Sequence, residues 1–185
     1  ASDVYKRQIE IYEALAAHGY REVGQEYLQN VLDTAKQLDA YDSGRIYYYL
    51  GEYQKAYLAL DEARDKGGAD SYLYLGRAYA ATGDYNYASS VYNNYLSKQG
   101  PNAEIYNELG LCEMAKKEYQ NALAAFQAGK QIEGNSLMQT LCFNEIVAYE
   151  YLEDYQQAEV LMNAYLQNYP DDQTAIREQQ FLSTR

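Results

Sequence analysis

The 185 residues predict an all-helical protein built from stacked helical hairpins, and three observations carry that prediction. Apolar residues recur at helical rather than alternating spacing, only two prolines interrupt the chain, and one unit of two short helices returns along most of it. The unit is clearest at residues 69–102, ADSYLYLGRAYAATGDYNYASSVYNNYLSKQGPN. Tyr72, Leu75, Gly76 and Tyr79 fall on one face of a first helix, Gly83-Asp84 break it, and Tyr85, Ala88, Val91, Tyr92 and Tyr95 line a second. Gly100-Pro101 stop the second helix, because proline lacks the N–H donor needed to continue it. A hairpin of this kind cannot bury both apolar faces alone, so it needs neighbours of the same kind.

Those neighbours are in register. A tyrosine opens the second helix at Tyr20, Tyr53, Tyr85, Tyr119 and Tyr155, at spacings of 33, 32, 34 and 36. Three residues beyond each stands Val23, Ala56, Ala88, Ala122 or Ala158, and seven beyond stands Tyr27, Leu60, Tyr92, Phe126 or Met162. A small residue lets two helices approach, and a large one fills the space beside it. In the first helices Gly44, Gly76 and Gly110 recur, followed three residues on by Tyr47, Tyr79 and Glu113. In period and pattern the chain resembles the tetratricopeptide repeat (TPR) family, over roughly residues 4–170 as five repeats. The resemblance implies an all-α fold, a right-handed α-solenoid of about five TPR helical hairpins plus a C-terminal capping helix.

Taken in order, the chain opens on Asp3 to Gln8, DVYKRQ, the hexapeptide that the transposase end sequence used in library preparation encodes in one frame. Residues 1–8 are therefore expected to be a non-native remnant in a metagenomic gene, either poorly ordered or helical only by compatibility. The native start, with any signal peptide or lipid-anchoring cysteine, is expected to be missing. The solenoid is read as residues 9–170, with repeats of about 4–36, 37–68, 69–102, 103–138 and 139–170, followed by a cap at 171–185. The first repeat pairs a helix at 9–17, ending at His18-Gly19, with one at 21–34. It departs from the pattern, with Ile11 where the glycine belongs and Val23 in place of alanine. No glycine or proline marks its boundary with the second repeat at 35–37. A longer helix running into Ala40, with a break at Asp42-Ser43, is the alternative there. The second repeat closes at Gly67-Gly68 and the fourth at Gly134-Asn135. The fifth carries Ile146 in place of the glycine and leaves through Asn168-Tyr169-Pro170-Asp171-Asp172, which resembles the family's usual exit. Residues 171–184 then read as a polar-faced helix, N-capped by Asp171 or Asp172, with Ile176 and Leu182 facing inward as a solenoid cap requires. No linker or second domain is visible.

Tyrosine dominates the aromatic content, with 24 residues against three phenylalanines and no tryptophan. Many must pack between helices, but Tyr47-Tyr48-Tyr49 point in three directions around one helix, so at least one ring faces outward or into a groove. Exposed tyrosine is an adaptable contact surface with few rotors to freeze. The net charge is −12, and the repeats hold no basic cluster longer than Lys116-Lys117. That balance argues against nucleic acid and anionic lipid as partners, and it reads chiefly as a solvated acidic surface.

Catalytic chemistry is poorly represented. His18 is the only histidine, at a helix C-terminus where it caps carbonyls more readily than it acts as a base. Cys112 and Cys142 fall inside helices of adjacent repeats and read as buried free thiols, with a disulfide as the alternative only where their helices abut, and a metal site lacks the further ligands it needs. No phosphate loop, GxSxG elbow or HExxH motif is present, so neither an enzyme nor a cofactor is expected.

The resemblance implies that the first helices of successive repeats line a concave face that binds extended peptides or partner helices. It assigns to that face Tyr41, Arg45, Tyr48, Leu73, Arg77, Asn107, Leu111, Met114, Phe143, Val147 and Tyr151. Arg45 and Arg77 each directly follow a repeat glycine, so their guanidinium groups are expected to converge from neighbouring helices. Arginine forks suit a carboxylate bidentately, which points to a peptide C-terminus or an acidic side chain as anchor, with tyrosines and Met114 holding apolar groups. The alternative is that both arginines pair with local acids such as Asp42 or Glu108. The family's chaperone-tail clamp is not expected, because Gln8, Tyr12, Asp42 and Tyr74 stand where its basic and amide side chains would be. A non-enzymatic scaffold for a peptide or protein is the expected function. The repeat module of an envelope lipoprotein, or the regulatory half of a larger truncated protein, is the alternative. Acidic, tyrosine-rich repeats resemble those of secreted or anchored proteins of gut-dwelling Gram-positive bacteria, which leaves the location open between the cytoplasm and the extracytoplasmic face. End-to-end self-association is expected if the first repeat lacks a native cap.

Overall fold

A computed structural model describes residues 2–35 and 37–185, and for residues 2–4 the backbone alone. Among the described residues there are eleven helices and no strand. They are α1 (Ser2–Ala17), α2 (Arg21–Thr34), α3 (Ala40–Tyr49), α4 (Tyr53–Glu62), α5 (Ala69–Ala81), α6 (Tyr85–Gln99), α7 (Ala103–Ala115), α8 (Tyr119–Lys130), α9 (Met138–Tyr151), α10 (Tyr155–Asn168) and α11 (Gln173–Leu182). The chain divides into two compact units, residues 1–91 and 92–185, with α6 divided between them.

All five hairpins close by the same backbone device. A residue in the left-handed region follows the first helix, and its N–H and the next one bond back to the helix's last carbonyls. Gly51 (φ 78°) donates to Tyr48 and Glu52 to Tyr47, and Gly83 (φ 85°) with Asp84 repeats the pattern on Ala80 and Tyr79. Gly19 and Tyr20 do the same on Ala16 and Leu15. In the second unit no glycine is used: Lys117 (φ 64°) and Glu153 (φ 61°) take that conformation instead, at roughly 1 kcal/mol each. Helix starts are set by side chains. Asp39 accepts from Asp42 N–H at 2.8 Å, Asn102 from Glu104 and Ile105 at 3.0 Å, and Asp172 from Thr174 at 3.0 Å and Ala175 at 3.1 Å. Each such cap stabilises its helix by about 1 kcal/mol.

The glycines of the first helices lie where a second helix comes closest. A Cβ on Gly44 would stand 2.5 Å from Leu60 Cγ, and one on Gly110 would stand 2.3 Å from Phe126 Cε1. The first hairpin inverts this arrangement and corrects the sequence register. Its second helix starts at Arg21, so Tyr20 and Val23 are exposed, and Gly24 and Leu28 take the buried positions expected of Val23 and Tyr27. Tyr12, not Ile11, occupies the place of Gly44, and its ring fills the gap left by Gly24, where a Cβ would stand 2.8 Å away. Ile11 is exposed. Large and small have changed helices, and the close approach is kept. In the fifth hairpin the fully buried Ile146 meets Ala158 and Met162.

Helix α1 runs unbroken from Ser2, with Tyr5 half-buried against Ile9, Tyr12, Leu28, Val31 and Ile46, and Gln8 accepting from the Tyr27 hydroxyl. The Val4 side chain lies outside the described residues. The longer-helix alternative at the first boundary does not form: α2 stops at Thr34, and Asp42 is buried in the first turn of α3 because Asp39 caps that helix. In the second unit Ala122, Leu123, Phe126, Leu141 and Ala148 make one core cluster, and Ile146, Ala158, Met162, Tyr165, Ala175 and Leu182 make another. Ala175 rather than Ile176 joins Leu182 in the buried face of α11, leaving Ile176 half-buried.

The contact between Gly110 and Phe126 predicts that Gly110→Ala lowers stability by about 1–3 kcal/mol, the usual cost of overpacking. Phe126→Leu in the same chain should recover part of it, which urea unfolding of the four variants in a double-mutant cycle measures.

Candidate functional site

In the first unit α3 and α5 pack side by side, and four of the five residues expected there gather around a sixth, Tyr74. The Arg45 guanidinium lies 5.1 Å from the Tyr74 ring centroid and 5.2 Å from that of Tyr41, while Arg77 lies 5.8 Å from Tyr74. Tyr48 meets Tyr74 edge-on at 5.4 Å. The two arginines thus converge, as their positions after Gly44 and Gly76 predicted, and an aromatic face is the meeting point. Leu73 is a correction: at 2 % exposure it belongs to the core and reaches no groove.

Arg45 is itself only 9 % exposed. Among the described residues it has no ion-pair partner, and its Nε is buried without a hydrogen bond. Asp42 does not neutralise it directly. Burial pushes the Asp42 carboxyl up, Asp39 adds to the push, and Arg45 opposes it only through the field. Burial also works against the Arg45 charge, but the oxygens of Tyr41, Tyr74 and Tyr49 more than offset it, so the guanidinium stays charged. Tyr74 and Tyr49 share a hydroxyl contact of 2.6 Å, and Tyr49 donates onward to the Glu13 carboxylate. Two phenols therefore link the buried cation to an acid on α1. Burial pushes the Tyr41 phenol up to about 12, with Arg45 opposing and Asp70, 3.3 Å from its hydroxyl, adding to the shift.

The second unit holds the other six residues, and they do not form one cluster. Asn107 is nearly buried and accepts from Asn144 Nδ2 at 2.9 Å, so its amide joins α7 to α9 instead of facing a ligand. Met114 leans on the core cluster of Ala122 and Phe126, while Leu111 is exposed and Val147 half-buried. Phe143 packs edge-on to Tyr165 at 5.8 Å and lines a cleft of about 300 Å³ with Gln139, Thr140, Asn144, Asp172 and Thr174. Tyr165 donates to Asp172 at 2.6 Å, which holds the start of α11 to this cleft. Tyr151 stacks on Tyr119 at 5.0 Å, away from Phe143, and is 57 % exposed. The step of 36 that carries Tyr119 onto Tyr155 carries Met114 onto Glu150, so Glu150 and not Tyr151 continues that row.

The groups with reactive side chains are occupied structurally. His18 Nδ1 bonds the Ala14 carbonyl at 2.8 Å. Cys112 and Cys142 are free thiols, and burial, with Glu108 and Glu113 nearby, pushes Cys112 up to about 12. Lys130 and Gln127 both engage the buried Glu145 carboxylate. Among the described residues no group of three or more His, Cys, Asp or Glu stands close enough to hold a metal, and no helix is long and apolar enough to cross a membrane.

The tetratricopeptide repeat model matches residues 41–88 and 75–135, together more than half of the chain. The chain belongs to the tetratricopeptide repeat family. Solved structures of TPR proteins share its fold, and TPR folds are in general protein–protein interaction scaffolds. A thermophilic TPR protein of Thermus thermophilus is 16 % identical, with 98 % of this chain and 100 % of that one covered at a TM-score of 0.74. MamA of Desulfovibrio magneticus is 17 % identical, covering 91 % of this chain and 97 % of its own at 0.64. The second TPR domain of human RPAP3, solved with the HSP70 peptide SGPTIEEVD, is 17 % identical, covering 64 % and 97 % at 0.57. No curated protein matches the chain. The TPR assignment fixes the architecture as an α-solenoid of helical hairpins ending in α11.

The Asn107–Asn144 bridge predicts that Asn144→Ala, which leaves the nearly buried Asn107 amide short of a partner, costs about 1–3 kcal/mol in thermal or urea unfolding. Asn107→Ala and Asn144→Ala together should cost less than the sum of the two single changes.

Proposed function

We propose that the chain is a non-enzymatic TPR scaffold that captures a peptide or protein segment, with a carboxylate of that segment held at the α3–α5 face of the first unit. The observation that carries this reading is the convergence of Arg45 and Arg77 on Tyr74 in a chain of net charge −12. A carboxylate placed beside these rings meets Arg77, which is half-exposed, while the buried Arg45 contributes charge and not contact. Tyr41 and Tyr48, both half-buried, flank the position and supply rigid apolar area for neighbouring side chains. In the second unit Leu111, Phe143 and Val147 offer apolar contact for partner side chains. The RPAP3 neighbour was solved with the HSP70 peptide SGPTIEEVD, whose carboxylates support an acidic anchor, although Gln8, Tyr12 and Asp42 leave this chain without the chaperone-tail clamp.

A charge-assisted hydrogen bond of this class contributes about 1.5–3 kcal/mol. In a peptide-library screen on the purified chain, captured sequences should share a C-terminal or acidic anchor. Arg77→Ala should weaken their binding by roughly tenfold to a hundredfold, and capping the peptide carboxylate as an amide should weaken it as much. Arg45→Lys keeps the charge but loses the planar stacking on Tyr41 and Tyr74, so it should weaken binding less than Arg77→Ala. Capture that ignores both the amide cap and Arg77→Ala would refute the carboxylate anchor.

A further inference from the structure

We infer that Tyr57, Tyr79 and Tyr87 form an oxidative crosslinking site, at which a peroxide-driven one-electron oxidant joins Tyr57 to Tyr79 as a dityrosine staple between the second and third repeats. The three rings come from α4, α5 and α6 and gather on Tyr79 in the first unit. Tyr57 stacks on Tyr79 with ring centroids 4.3 Å apart and planes 8° from parallel, and Tyr87 lies 4.2 Å from Tyr79 at 39°. Other pairs in the unit take the alternative favoured arrangement: Tyr48 meets Tyr49 and Tyr74 edge-on, at 68° and 71° and at 5.4 Å.

The repeat pattern does not require this stack. Tyr79 stands three residues after Gly76, as Tyr47 does after Gly44, and Tyr87 stands two after the opening Tyr85, as Lys55 does after Tyr53. In the second repeat those two positions bring the Lys55 ammonium over the Tyr47 ring at 5.4 Å, and in the fourth they hold Glu113 and Asn121. Among the repeats that carry the glycine, the third alone has tyrosine at both, and Tyr57 meets them from the repeat before.

Stacking decides what oxidation does here. Phenoxyl radicals couple through a carbon ortho to each oxygen, and the new bond grows perpendicular to both ring planes. Rings lying face to face are therefore placed to react, and rings meeting edge-on are not. Tyr87 is 42 % exposed while Tyr57 and Tyr79 are half-buried, so a bulky oxidant reaches Tyr87 first and the electron vacancy passes inward over 4.2 Å. Burial, then the charges of Tyr87 and Asp61, push the Tyr79 phenol up to about 12, so it is neutral and gives up its proton with the electron. A haem peroxidase fed with hydrogen peroxide removes one electron and one proton from each of Tyr57 and Tyr79. The two radicals form one carbon–carbon bond, and the hydrogen on each bonded carbon is transferred through water to its own phenolic oxygen. The protein loses two hydrogen atoms, and one hydrogen peroxide becomes two waters. The staple ties α4 to α5 across residues 63–68 and restricts how far the two repeats can part.

Peptide mapping of the full chain tests the site. The protein is treated with a haem peroxidase and an equimolar amount of hydrogen peroxide. The monomer is then isolated by gel filtration, away from chains linked through exposed tyrosines such as Tyr20, and digested with trypsin. Tyr57 is the only tyrosine of tryptic peptide 56–64, and Tyr79 falls in peptide 78–98. The two should be recovered joined, two hydrogens short of their summed mass, with dityrosine emission and with fragmentation placing the link at Tyr79. The Tyr119–Tyr151 pair, wider at 5.0 Å and tilted by 27°, is the comparison inside the same chain and should couple less. Tyr79→Phe should lose the joined peptide and Tyr87→Phe should form it more slowly, both with the circular dichroism of the wild type. The stapled monomer should also keep its first unit folded to higher urea than the untreated chain. Absence of the joined peptide from the oxidised monomer, its persistence in Tyr79→Phe, an unchanged rate in Tyr87→Phe, or coupling of Tyr119 to Tyr151 ahead of it would overturn the proposal.

Discussion

The first, second and fourth hairpins depend on one steric constraint: two helices pack this closely only where one of them gives up a side chain. Gly44 yields to Leu60 and Gly110 to Phe126, and in each case even a methyl group would have to displace its neighbour. The constraint specifies a sum of volumes and not a position. The first hairpin meets it with the roles exchanged, Gly24 on the second helix yielding to Tyr12 on the first. Once the approach is set, the left-handed turn residue, the capped start of the next helix and the alanines at Ala56, Ala122 and Ala158 follow from the same geometry.

That exchange explains where the sequence could be read and where it misled. The period of the middle repeats was legible because glycine, alanine and one large residue recur together. In the first repeat Tyr20 and Val23 lie one residue out of phase with the true pattern, and a tyrosine count alone could not expose the error. The signal that could have done so was Gly24, a glycine inside a predicted helix with no turn to make. The fifth repeat drifted for a related reason, since its longer step shifts the row from Tyr151 to Glu150.

The candidate site was legible in its charges but not in its aromatic centre. The placement of Arg45 and Arg77 followed from the glycines they succeed. Tyr74 was read only as a residue standing where the family's clamp has a basic or amide side chain, while its neighbour Leu73 was assigned to the groove, and only the packing of α3 on α5 shows which of the two meets the arginines. The route by which Arg45 is compensated was also beyond sequence. Its nearest acid along the helix, Asp42, is buried and ineffective, and the link runs through two phenols to Glu13, far away in the chain.

The phenol ladder of the first unit has a spectroscopic consequence. Tyr12, Tyr49, Tyr74 and Tyr48 follow one another with ring centroids 4.7 to 5.7 Å apart, and the chain has no tryptophan to receive their excitation. Excitation energy therefore passes among like rings and ends on those whose hydroxyls donate to carboxylates, as Tyr49 does to Glu13 and Tyr41 to Asp70. Such phenols emit weakly. The folded protein should therefore be dim and depolarised and should brighten as its helices part, which would make its own tyrosines a reporter of repeat stacking in the ultraviolet.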